Sequence, residues 1–205
     1  MPVAIVDSSV AGPPLPRKRF TRSEVEAMLD AGVFHGQRFE LIDGDLIDKL
    51  GQKPAHASAI QRLQDILSRM FGGVRVRVQL PMEVGAADRE TSVPEPDLAL
   101  LTEAKDDYEA RHPGGAEMTL VVEVADTTIR PDLTRKRDLY ATAGVREYWV
   151  LDLKDRRLVI HRDWDGANHS YASIQSYAED ETVDFKGKPI EVASLLSKKQ
   201  LRSRN

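Results

Sequence analysis

Apolar and polar positions change rhythm several times along the chain, and each change predicts an element. From Ala57 to Phe71 the apolar residues Ile60, Leu63, Leu67, Met70 and Phe71 recur at helical spacing, and Gly72-Gly73 closes the pattern. The next stretch, "VRVRVQL", alternates: Val74, Val76, Val78 and Leu80 are expected to face inward, with Arg75, Arg77 and Gln79 facing the other way. Two apolar runs, 96–101 and 119–125, predict buried strands on either side of a charged segment broken by Pro113-Gly114-Gly115. Helical spacing returns at Pro131, which suits a first turn, and runs to about Ala143 with Gly144 as its cap. "REYWVLDL" reads as the next strand, "RRLVIHR" as its partner across a turn near Lys154-Asp155, and weaker strands trail from His169 to Val192.

Ahead of this core, Thr21 and Glu24 have capping-box spacing for a first helix ended by Gly32. "RFELIDGDLI" predicts a hairpin turning at Asp43-Gly44, with Glu40 on its first strand. From residue 57 the order is helix, strand, strand, strand, helix, strand, a mixed α/β (α+β) arrangement with a central sheet flanked by helices.

With 205 residues, 41% of them hydrophobic and 30% charged, the chain can build one domain with a real core. That domain is expected over 20–196, between a flexible N-terminal arm at 1–19 and a basic flexible tail, "SKKQLRSRN", at 197–205. The arm has no basic region ahead of its short apolar patch, and Asp7 and a proline cluster interrupt it, so it does not read as a signal peptide; no apolar run is long enough for a bilayer span. The chain has no cysteine, which excludes disulfides and thiolate metal sites, and the cytoplasm is the expected residence. A formal charge of −4 argues against coating nucleic acid by bulk charge while leaving room for a locally basic cleft. The five histidines lack zinc spacing and read as surface or loop residues, except His56, which precedes a helix near the candidate site. There is no phosphate loop, nucleophile elbow or dinucleotide fingerprint, so no organic cofactor is implied.

Three charged residues interrupt the apolar pattern. "VPEPDLALL" starts a buried strand with Asp97, and "TLVVEVAD" sets Glu123 inside an apolar run. Alternation puts Asp97 on the face of Ala99 and Leu101, and Glu123 on the face of Val121 and Ala125. Were the strands neighbours, the two carboxylates would repel by something on the order of 4 kcal/mol, and a divalent cation would remove the conflict. Magnesium, which takes one or two carboxylates plus waters and phosphate oxygens, suits such a pair. Lys136 falls on the apolar stripe of Leu133, Tyr140 and Ala143, where a leucine is expected. Taken singly, each has a plain structural alternative: a strand-end aspartate, a glutamate neutralised by Arg75 or Arg77, and a lysine snorkelling along an apolar surface.

Two acids and a lysine on adjacent strands and the following helix, within this order of elements, resemble the PD-(D/E)XK restriction-endonuclease-like superfamily. More narrowly, "RFELIDGDL", "PEPDLAL", "LVVEVAD" and "DLTRKRDLYATAGVREYWVLD" resemble the Uma family of endonucleases over roughly residues 20–190. The resemblance implies Asp97 and Glu123 as ligands of Mg2+ or Mn2+. It also implies a catalytic lysine moved onto the helix as Lys136, since Ala125 occupies its usual place, and a catalytic contribution from Glu40. The implied activity is metal-dependent hydrolysis of DNA, with a homodimer to cut both strands. The alternative is a non-catalytic nucleic-acid-binding or interaction module on the same fold. A basic surface for DNA is expected from Arg75, Arg77, Arg130, Arg135 and Arg137.

Overall fold

A capping box opens the first helix: in the computed structural model, Thr21 accepts from the Glu24 amide while the Glu24 carboxylate accepts from the Thr21 amide, starting α1 (Arg22–Asp30). The structure describes residues 17–49, 53–103, 108–126 and 132–198. Residues 1–16 of the expected arm and 199–205 of the expected tail lie outside the described residues. Lys18 pairs with Glu24 at 2.7 Å, and Arg19 pairs with Asp45.

β1 (Phe39–Ile42) and β2 (Asp45–Asp48) form the expected hairpin, with Ile42 opposite Asp45 and a two-residue turn between them. Asp43 and Gly44 both have positive φ, 45° and 80°, as a type I′ turn requires. Gly44 is also needed for space, because a Cβ there would lie 2.9 Å from the Arg19 Cβ.

α2 (Pro54–Phe71) starts at Pro54 rather than Ala57, with the proline in the first turn where a missing N–H costs nothing. β3 is short, Val76–Val78, and the expected alternation fails at both of its ends. A 3-10 turn over Gly73–Arg75 leaves Val74 79% exposed, and the φ of 49° at Gln79 turns the chain so that Leu80 is 44% exposed. β4 (Leu98–Leu101) and β5 (Met118–Ala125) follow, every residue buried.

Among the described residues the next helix begins with a π-helical turn, Asp132–Lys136, that runs into α3 (Arg137–Ala143), capped by Gly144 in the left-handed conformation; the expected start at Pro131 lies outside the described residues. The wider turn shifts the register of the helix, so Leu139 and Ala141 join Tyr140 in the core. β6 (Tyr148–Asp152), β7 (Arg157–Asp165) and β8 (Ser170–Ala178) complete one six-stranded sheet in the order β3-β4-β5-β6-β7-β8. All its pairs are antiparallel except β5 with β6, the pair joined through α3. β9 (Thr182–Phe185), β10 (Lys188–Glu191) and α4 (Val192–Leu195) end the described chain.

The sheet separates two cores. α2 covers one face with Ala59, Ile60, Leu63 and Leu67, together with β9, β10 and α4. α3 covers part of the other, with Tyr140 and Ala141 against Val121, Tyr148 and Val150. His161, expected at the surface, is 1% exposed between the rings of Tyr148 and Tyr171, because its strand is paired on both sides, with β6 and β8. Among the described residues no helix is long and apolar enough to cross a membrane.

Candidate active site

β4 and β5 pair with Leu98 opposite Val122, so Asp97, one residue before the ladder, is level with Glu123. Both acids are buried, 4% and 3% exposed. Each carries its own set of partners. The Asp97 Oδ2 accepts from the Val124 amide at 2.9 Å and lies 3.2 Å from the His56 Nε2, while Oδ1 accepts from the Gln79 side-chain amide at 3.2 Å. Burial works to raise the Asp97 carboxyl, yet His56 and the Val124 amide outweigh it and hold the group below the usual aspartate range. The same contact raises the His56 pKa.

Glu123 is gripped through one oxygen. Its Oε1 accepts from the Lys136 ammonium at 3.0 Å and from the Tyr140 hydroxyl at 2.6 Å. Burial, with the charges of Asp97, Asp132 and Glu40 adding to it against Lys136, pushes the Glu123 carboxyl up to about 8. Asp132 rises to about 6, also mainly through burial. Burial alone would lower the Lys136 ammonium, but Glu123, Glu40 and Asp132 overcome this and raise it. One ammonium thus faces three carboxylates, and the cluster keeps a surplus of negative charge.

Glu40, on the first strand of the hairpin, is buried at 4% exposure. Its Oε1 lies 2.8 Å from the Lys136 ammonium, and its Oε2 accepts from the Glu95 amide at 3.3 Å. It therefore ties the helix that carries Lys136 to the segment that leads into Asp97. Lys136 closes the π turn and is 8% exposed, so it does not snorkel outward.

These groups share a cleft of about 560 Å³, whose wall also includes Arg38, Lys49, Gln79 and Asp132. Arg38 reaches the Glu95 carboxylate at 2.6 Å, and Lys49 donates to the Glu95 carbonyl. Lys53, the residue ahead of α2, pairs with Asp126 at 3.1 Å. A second hollow of about 400 Å³ between α2 and β10 mixes apolar residues with Arg62, Glu191 and an Arg69–Asp65 ion pair at 2.6 Å, and does not gather buried carboxylates as the cleft does.

Among the described residues no three His, Asp or Glu side chains converge into a ready cation cage. Two carboxylates opening on a polar cleft nevertheless fit a hard cation that keeps most of its waters, which is how magnesium binds. They do not fit an all-protein zinc or calcium site.

The structure brings Asp97, Glu123, Lys136 and Glu40 together and leaves the arginines apart. Arg75 donates to the Leu101 carbonyl at 2.9 and 2.6 Å, and Arg77 lies half-buried over the Tyr108 ring. Arg135 meets Asp43, and Arg137 meets Asp138 at 2.6 Å. None of these four lines the cleft, and Arg130 lies outside the described residues. Sequence reasoning missed Tyr140, which it assigned to the apolar stripe, and Gln79, which the positive φ aims into the cleft. Asp132 was detectable as an acid one turn ahead of Lys136.

A search of curated proteins finds no match. A crystal structure described as that of a "putative nuclease belonging to DUF820" from Anabaena variabilis ATCC 29413 shares the fold with a TM-score of 0.60. It is 12% identical, and the match covers 77% of this chain and 88% of that one. The family model of Uma2, described as "Putative restriction endonuclease", matches residues 23–191, the span from α1 to the end of β10, and the chain belongs to that family.

Proposed function

We propose that this chain is a divalent-cation-dependent endonuclease that hydrolyses phosphodiester bonds of DNA, working in the cytoplasm as a homodimer so that two sites meet the two strands. The observation that carries this reading is the level pairing of Asp97 with Glu123 across β4 and β5, with the Lys136 ammonium 3.0 Å from Glu123 in the same cleft. The family's description and the nuclease named among similar folds support it.

Asp97 and Glu123 would hold Mg2+ or Mn2+. Bound there, the cation supplies a Lewis acid for a phosphate oxygen and acidifies a water. The Lys136 ammonium offsets negative charge as it builds on the phosphoryl group, and Glu40 keeps that ammonium in position. Arg38 and Lys49 at the cleft, Lys53 ahead of α2, and Arg135 and Arg137 along the helix offer cations for the DNA backbone. Arg75 and Arg77 instead serve the fold.

One observation favours the second reading, a nucleic-acid-binding or interaction module without turnover: both acids already have nitrogen partners, His56 at 3.2 Å from Asp97 and Lys136 at 3.0 Å from Glu123. Plasmid DNA incubated with Mg2+ or Mn2+ separates the two. The endonuclease reading expects nicking and linearisation by the wild type, and loss of both in Asp97→Asn and Glu123→Gln with circular dichroism unchanged. Retention of DNA without cleavage by the wild type supports the module.

A further inference from the structure

The grip on Glu123 is one-sided. Both of its donors, the Lys136 ammonium at 3.0 Å and the Tyr140 hydroxyl at 2.6 Å, reach the same oxygen, Oε1. Among the described residues Oε2 has no hydrogen bond. The two donors differ in kind. Lys136 is a flexible chain with a rotatable ammonium, shared with Glu40 at 2.8 Å and Asp132 at 3.9 Å, so its position follows three carboxylates at once. Tyr140 is fully buried, its ring packed 5.1 Å from that of Tyr148, and its hydroxyl comes from a fixed direction. The ring of Tyr148 is held in turn by its hydroxyl, which donates to the Asp132 carbonyl at the start of the π turn at 3.0 Å.

The last torsion of a glutamate side chain is broad and nearly two-fold, so a single flexible ion pair does not decide which oxygen points where. A second donor on a rigid ring does. We propose that Tyr140 is a positioning residue that fixes the Glu123 carboxylate with Oε1 turned into the protein and Oε2 left for a divalent cation. This rests on the cation site proposed above. Carboxylates that bind metals are commonly oriented by such outer hydrogen bonds, and their loss typically costs about 10–100-fold in metal affinity or activity.

The test is calorimetric titration of Mn2+ into the DNA-free protein, for wild type, Tyr140→Phe, Glu123→Gln and Tyr171→Phe. Tyr171 is the matched control: it too is buried, and its hydroxyl donates to a backbone carbonyl, that of Val145 at 3.0 Å, away from Glu123. Tyr140→Phe should bind Mn2+ about 10–100-fold more weakly, Glu123→Gln should lose binding, and Tyr171→Phe should bind as the wild type does. Wild-type affinity in Tyr140→Phe beside a loss in Glu123→Gln overturns the role of Tyr140 alone. Wild-type affinity in Glu123→Gln overturns the cation site and this role with it. If Tyr140→Phe does not fold, a crystal structure of the wild type with Mn2+ decides. Density on Oε2 with Tyr140 still on Oε1 supports the proposal, and density on Oε1 with the hydroxyl displaced overturns it.

Discussion

β4 and β5 show opposite solutions on their two faces. Toward α2 they present Leu98, Leu100, Leu120 and Val122, all fully buried, and the contact is wholly apolar. Toward α3 the intervening positions hold Ala99, Leu101 and Val121, until Asp97 and Glu123 replace apolar residues at one end of the ladder. Burial is nearly the same on both faces. The first face is held by area removed from water and complementary shape, the second by matching each charge to a partner. A change of volume should therefore damage the first, and a change of charge the second.

Lys136→Met is the sharpest way to break this distinction. On an apolar stripe it would be harmless, but here it leaves Glu40 and Glu123 buried without their cation. Removing one partner of a buried ion pair typically costs about 3–5 kcal/mol. We expect a loss of that order in urea denaturation, and a fall in DNA cleavage of about a hundredfold or more. A stability equal to wild type would mean that the cluster tolerates an apolar side chain as the other face does.

Leu63→Ala probes the apolar face. Leu63 is 1% exposed within the α2 core, and its truncation should cost about 2–5 kcal/mol. Because it touches no charge of the cleft, the rise in melting temperature on adding Mn2+ should stay as in the wild type. A diminished rise would show that the two faces are coupled.

Asp97→Asn tests the balance within the charged face. Two carboxylates considered alone suggest that removing one relieves repulsion. With His56 at 3.2 Å and the Val124 amide at 2.9 Å, however, the ionised form of Asp97 is favoured by the fold. The variant should therefore melt below the wild type without metal. It should also gain much less than the roughly 2.7 kcal/mol that a native-state ligand supplies at about 100 times its dissociation constant. Equal shifts in both proteins would remove Asp97 from the cation site.

The smallest effect concerns pH. Burial, reinforced by Arg137 against a backbone hydrogen bond to Tyr148, pushes the His161 imidazole down to about 4. Between the unfolded value of about 6.5 and the folded value, the unfolded chain binds more protons, so stability falls as pH drops through that window. His161→Phe keeps a ring between Tyr148 and Tyr171 and should flatten the loss of stability between roughly pH 6.5 and 4, read as denaturation midpoints at successive pH values. An unchanged acid limb would assign the loss to other groups.

Much of the fold was legible because it repeats: the helical spacing of α2, the Asp43-Gly44 turn and the long apolar run of β5 each carry a periodic or local signal. What escaped was aperiodic. The ends of β3 depend on a 3-10 turn and a positive φ, and the register of α3 depends on a π turn that a wheel of regular pitch cannot contain. The site divides in the same way. Asp97, Glu123 and Lys136 announced themselves as charges where apolar residues belong. Tyr140 did not, since a tyrosine satisfies an apolar stripe and a hydrogen bond equally well, and only coordinates reveal which oxygen it meets.

The β1–β2 hairpin is not a member of the main sheet, and this has a kinetic consequence. Its strands meet the rest of the molecule through a β-bridge, Leu41 with Val93, and through side-chain and turn contacts to Ser92 and Glu95, yet it carries Glu40, whose partner Lys136 lies almost half the chain away. The strands from Leu98 to Ala178 find most of their partners close by in sequence, whereas the hairpin must wait for a helix synthesised long after it. On contact order, the charge cluster is expected to assemble after the sheet, by docking of a hairpin synthesised well before its partner helix. A chain stalled before that step would own a finished sheet and an incompetent cleft.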